Sequence, residues 1–148
     1  MKKINKRCLI ILITGFTALF TSCKSKSTVK EIKGHGLTIE VIKLSGQPGD
    51  TSTISYSARI IPDKALINDK DNKVKTALLF NMDSCFYLQA GKKKIYASLT
   101  QPVANGVAGT FEYLLSFDVS NHKDADGSLI YQDKYLNHRK YQINPDKE

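Results

Sequence analysis

Phe111-Glu-Tyr-Leu-Leu-Ser-Phe-Asp-Val119 places Phe111, Tyr113, Leu115, Phe117 and Val119 at every second position, against Glu112, Ser116 and Asp118. A period of two sends successive side chains to opposite faces of an extended chain, so this stretch predicts a strand with one buried aromatic face. A second stretch repeats the pattern, with Ile54, Tyr56, Ala58 and Ile60 opposite Thr53, Ser55, Ser57 and Arg59, and Pro62 closes it. Upstream, Leu37, Ile39 and Val41 alternate with Thr38 and Glu40 before the turn cluster Ser45-Gly-Gln-Pro-Gly-Asp50.

Between and beyond these strands the chain alternates apolar runs with turn signals. Residues 63–74 are charged and read as a solvated loop. Apolar residues return at Thr76 to Met82 and at Cys85 to Leu88, and Gln89-Ala-Gly-Lys-Lys93 predicts a hairpin turn into Lys94 to Leu99. Pro102 and Asn105-Gly-Val-Ala-Gly109 read as breaks, Asn121 to Gly127 as a loop, and Leu129 to Tyr131 and Arg139 to Ile143 as the final strands. No segment offers a helix of ten residues, which excludes parallel strands that need crossover helices. The expected fold is all-β: an antiparallel β-sandwich of seven or eight short strands, linked in Greek-key, immunoglobulin-like or transthyretin-like fashion.

The chain has 148 residues, 41% apolar and 24% charged, enough for one domain with a core and too apolar for a wholly disordered chain. Its net charge of +8 is front-loaded: Lys2, Lys3, Lys6 and Arg7 precede any acid, and the chain after residue 22 carries only +4. Residues 1–22 have the layout of a secretory signal, a cationic start followed by an apolar run from Cys8 to Phe20. Those 13 residues reach roughly 20 Å as a helix, short of the roughly 30 Å hydrocarbon core, which favours a cleaved leader over a membrane span.

The end of that run, Phe20-Thr21-Ser22-Cys23, resembles the lipobox of bacterial lipoproteins, with Phe where the family more often has Leu. The resemblance covers the leader alone. It implies a thioether-linked diacylglyceryl group on Cys23, cleavage between Ser22 and Cys23, and an acylated new amine, a covalent lipid being the only cofactor expected. Two or three acyl chains anchor a protein durably where one does not. Residues 23–33 then read as a flexible tether and residues 34–148 as the sandwich domain. Lys24 and Lys26 stand where the family places an inner-membrane retention Asp or an acidic surface-export cluster, so the resemblance implies the periplasmic face of the outer membrane.

With Cys8 removed and Cys23 acylated, Cys85 is left as the one free thiol, and beside Phe86-Tyr-Leu88 it reads as a buried small residue. The stretch His122-Lys-Asp124-Ala-Asp126-Gly127-Ser-Leu-Ile-Tyr-Gln-Asp133 partly matches a calcium loop, which makes Asp124, Asp126 and Asp133 the candidate metal ligands. His122 replaces the first carboxylate of such a loop, no helices flank it, and Asp and Gly also build ordinary turns, so a plain turn is expected. Asp69 and Asp71 form a second acidic pair without a glycine. His35, His122 and His138 are isolated, and no nucleophile elbow, phosphate-binding loop or dinucleotide fingerprint occurs, so no catalytic residue is assigned.

Lys92-Lys-Lys94 is the densest basic run outside the leader, and Tyr87, Tyr96, Tyr131, Tyr135 and Tyr141 accompany it. A secreted, lipidated chain does not meet nucleic acid, so this reads as a charged hairpin tip or a docking face for an acidic partner or anionic headgroups. The expectation is a lipid-anchored, non-catalytic interaction module that binds the membrane through its lipid and a protein partner in the cell envelope. Its layout resembles that of the small lipoproteins of type VI secretion complexes, with no motif carried over. The competing readings are a ligand- or calcium-dependent binding module and a hydrolase with a dispersed site.

Overall fold

A computed structural model describes residues 28–46, 52–67 and 72–144. The leader, including Phe20 to Cys23, the tether residues Lys24 and Lys26, and the Asp69, Asp71 pair lie outside the described residues.

The alternation read at residues 52–62 and 110–119 becomes two central strands, β3 (Thr53–Pro62) and β7 (Phe111–Asp118), paired antiparallel with Ala58 opposite Tyr113. Around them a five-stranded sheet forms in the order β1-β2-β3-β7-β6, with β1 at Val29–Gly34, β2 at Leu37–Leu44 and β6 at Leu99–Val103. A four-stranded sheet has the order β5-β4-β8-β9, with β4 at Phe86–Ala90, β5 at Lys93–Tyr96, β8 at Ser128–Gln132 and β9 at Lys140–Ile143. All pairings are antiparallel. The chain changes sheet after β3, β5 and β7, and so the two sheets share one core. Among the described residues nine strands form where seven or eight were expected for the domain.

The inward residues are those that the period of two selected. Ile39, Val41, Tyr56, Ala58, Ile60, Leu115 and Phe117 from one sheet and Phe86, Leu88, Leu129 and Tyr131 from the other are fully buried. Phe86 and Tyr113 join the sheets with ring centroids 5.6 Å apart, and Tyr56 meets Phe117 edge-on at 5.9 Å. Such tilted and edge-on contacts add to the area that the rings bury.

Three expectations are corrected. Residues 29–33, read as tether, belong to β1: Ile32 packs against the core, and the rest of the strand, exposed Val29 included, stays outside it because this is an edge with one sheet neighbour. Residues 72–80, read as the end of a loop and the start of an apolar run in a chain of strands, form helix α1 (Asn72–Phe80). Val74, Ala77, Leu78 and Met82 repeat at helical spacing; Leu78 and Met82 are buried, and the Tyr113 hydroxyl donates to the Leu78 carbonyl. At nine residues the pattern is too short to separate from a buried strand by periodicity. Pro102, read as a break, sits inside β6, an edge strand where its missing N–H leaves no ladder bond unmade.

His35 and Gly36 join β1 to β2 in a two-residue turn with φ of 53° and 77°. That left-handed turn matches strand twist, and a Cβ on Gly36 would come within 2.8 Å of Leu66 Cδ1. The isolated His35 is a turn residue.

Candidate functional site

The calcium-loop reading is not supported by the geometry. Residues 128–132 form β8, so Asp126 and Asp133 lie beyond opposite ends of an extended strand whose own ends, four residues apart, are already about 13 Å from each other at about 3.3 Å per residue. Each carboxylate that the loop would have used faces elsewhere. Asp124 lies in a one-turn helix, α2 (His122–Ala125), and its Oδ2 takes an ion pair from Lys93 Nζ at 2.8 Å. Asp126 is exposed. Gly127 is closely packed: a Cβ there would lie 3.2 Å from the carbonyl oxygens of Gln89 and Asp124, so a larger residue would have to push one of those backbone segments aside. Among the described residues no three His, Cys, Asp or Glu side chains converge on one point.

Asp133, 1% exposed, organises the loop between β8 and β9. Its Oδ2 accepts the backbone N–H groups of Leu136, Asn137 and His138, and its Oδ1 accepts that of Tyr135 and the Tyr131 hydroxyl at 2.8 Å. Burial pushes this carboxyl up, and the bonds from Asn137, Tyr131, His138 and Leu136 outweigh that and hold it below the usual carboxylate range. His138, at φ 58°, closes the loop.

Cys85 is fully buried, and burial pushes its thiol up to about 11, with Lys134 pulling the other way and Asp133 and Asp83 adding to the rise. A thiol held this firmly protonated is a poor nucleophile.

The surfaces that remain are the two outer sheet faces, which differ in charge. On the five-stranded sheet the outward strand residues include Glu31, Glu40, Glu112 and Asp118 against Lys33 and Arg59. Arg59 binds Glu40 Oε2 at 3.0 Å and Glu112 Oε2 at 3.1 Å, while Ser57 and Asn105 also donate to Glu112. The hydrogen bonds that Arg59 donates to Glu112, partly opposed by burial, raise the guanidinium above its ordinary value. Below this network the face is uncharged: Val29, Ile42, Ser57, Leu114 and Gln101 stand in one row, and Leu44, Ser55, Ser116 and Leu99 in the next.

On the four-stranded sheet the outward strand residues are Lys94, Tyr96, Tyr87, Gln89, Ser128, Ile130, Gln132, Lys140 and Gln142, with no acid among them. Lys94 Nζ lies 4.9 Å and Lys140 Nζ 5.9 Å from the Tyr87 ring centroid, and Tyr96 packs on the same ring at 5.5 Å. The two lysine stems and Tyr96 cover Tyr87, which is 3% exposed on an outward face. Lys94, Lys140, Gln142 and the half-exposed Tyr96 are the side chains that the face offers most openly to solvent.

Of the basic and aromatic residues singled out in the sequence, the structure brings together Tyr87, Lys94 and Tyr96. Lys93 points to the other side and holds Asp124, while Tyr131 and Tyr141 stack in the core at 6.0 Å. Tyr135 donates to the Asn81 carbonyl at 2.7 Å. Lys140 was missed, because nothing local links it to a ring 53 residues earlier. The chain matches no protein-family model, no curated protein and no solved structure.

Proposed function

We propose that the protein is a bacterial outer-membrane lipoprotein anchored through acyl chains on Cys23, whose sandwich is a non-catalytic module that docks an envelope protein on the periplasmic side. The observation that carries this reading is Phe20-Thr21-Ser22-Cys23 at the end of a cationic and apolar leader, six residues before the first strand. The state of the chemistry-bearing side chains supports it: Asp124 is ion-paired, Asp133 is occupied by backbone N–H groups, and Cys85 is buried and protonated. The broad outer sheet faces offer docking area. Intact-mass measurement of the protein from the membrane fraction tests the reading. The expected mature species begins at Cys23 and carries lipid, and Cys23→Ser leaves the precursor unprocessed. A mature species that begins elsewhere, or an unmodified Cys23, overturns it.

A further inference from the structure

If Cys23 carries the lipid, only residues 24–28 separate it from β1, so Val29 lies within about 20 Å of the anchor even when the chain is fully extended. The domain therefore works close to the bilayer and must turn some surface towards it. β1 lies at the edge of its sheet, against β9 of the other: the Tyr141 hydroxyl donates to the Gly34 carbonyl, and Asn137 Nδ2 donates to the His35 carbonyl at 3.1 Å. Stacked sheets are separated by about 10 Å, so the tether is long enough for the four-stranded sheet to lie flat on the headgroups with β1 above it.

Electrostatics then selects the face. Four carboxylates against two cations on the outer face of the five-stranded sheet are repelled by an anionic surface. Lys94 and Lys140, without an outward strand acid beside them, are drawn to one. Tyr96, half-exposed beside Lys94, has the amphipathic ring suited to headgroup depth.

We infer that the outer face of the four-stranded sheet rests on anionic phospholipid headgroups of the bilayer that holds Cys23, leaving the opposite, carboxylate-bearing face turned to the periplasm. This rests on the lipoprotein reading above, and the test separates the two. The full lipidated protein is reconstituted in vesicles of phosphatidylcholine alone, or with about one-third phosphatidylglycerol, after Gln142→Cys or Gln101→Cys has placed a fluorophore on one face or the other. Flotation with the uncharged vesicles reports the anchor by itself. With anionic vesicles the label at 142 becomes shielded from an aqueous quencher and the label at 101 does not. Shielding disappears in about 1 M salt, where the Debye length falls to about 3 Å. Lys94→Gln with Lys140→Gln weakens the oriented state by about fivefold for each lysine removed. Equal quenching at the two positions, shielding at 101, or shielding at 142 that is just as strong on uncharged vesicles overturns the orientation even when flotation shows the anchor intact.

Discussion

Lys93 Nζ and Asp124 Oδ2 meet at 2.8 Å, joining the β4–β5 hairpin to the short helix that precedes β8. The pair spends on structure both a lysine of the densest basic run and a carboxylate of the acidic loop. Asp124 is almost fully buried there and Lys93 half-exposed, so the ammonium caps a carboxylate that would otherwise face the domain without a partner.

Calcium is therefore expected to leave the melting temperature unchanged between millimolar calcium and chelator. A cage that bound only the folded state would add about 2.7 kcal/mol at a hundredfold excess over Kd, several degrees for a domain of this size. A calcium-dependent rise abolished by Asp126→Ala would contradict the geometry described for Asp124 and Asp133.

Asp133 links stability to pH. Its carboxyl is held below its unfolded value, so its contribution is present above the ordinary carboxylate range, near pH 4, and is lost as pH falls through the folded pKa. Asp133→Asn keeps the shape but removes the charge that several donors share, and it should cost about 1.5 to 3 kcal/mol at pH 7. Denaturant titrations at neutral and acid pH should show the gap between wild type and variant narrowing as the wild type protonates. A gap that is constant down to pH 2 would remove the charge from the account.

Phe117 has no exposed surface and meets Tyr56 edge-on, so Phe117→Ala should cost about 3 to 5 kcal/mol in equilibrium unfolding. A change within about 0.5 kcal/mol is what a surface position gives.

Cys85 should resist alkylation in the native mature protein at pH 8 and react fully after denaturation. Burial both shields the thiol and keeps it protonated until about pH 11. Modification of the folded protein at the rate of a free thiol would show that the β4 end opens.

Which residues face the core along β2, β3 and β7 is legible locally, because a period of two is a property of the extended backbone and needs no knowledge of neighbours. The hairpin at Gly91 and the end of β3 at Pro62 are legible in the same way, where local backbone preference decides. The helix at residues 72–80 lay beyond local reading: a nine-residue apolar pattern serves a helix or a buried strand equally well, and burial of Leu78 in the shared core, with the Tyr113 hydroxyl donating to its carbonyl, settled it. The strand at residues 29–34 was hidden for a related reason, since an edge strand can exist with Ile32 as its one core residue. Tertiary structure alone divided the lysines, sending Lys93 to Asp124 and Lys94 with Lys140 to Tyr87. Alternation assigns a side chain to a face of its own strand, whereas the charge of a whole sheet face depends on which distant strands the fold sets side by side.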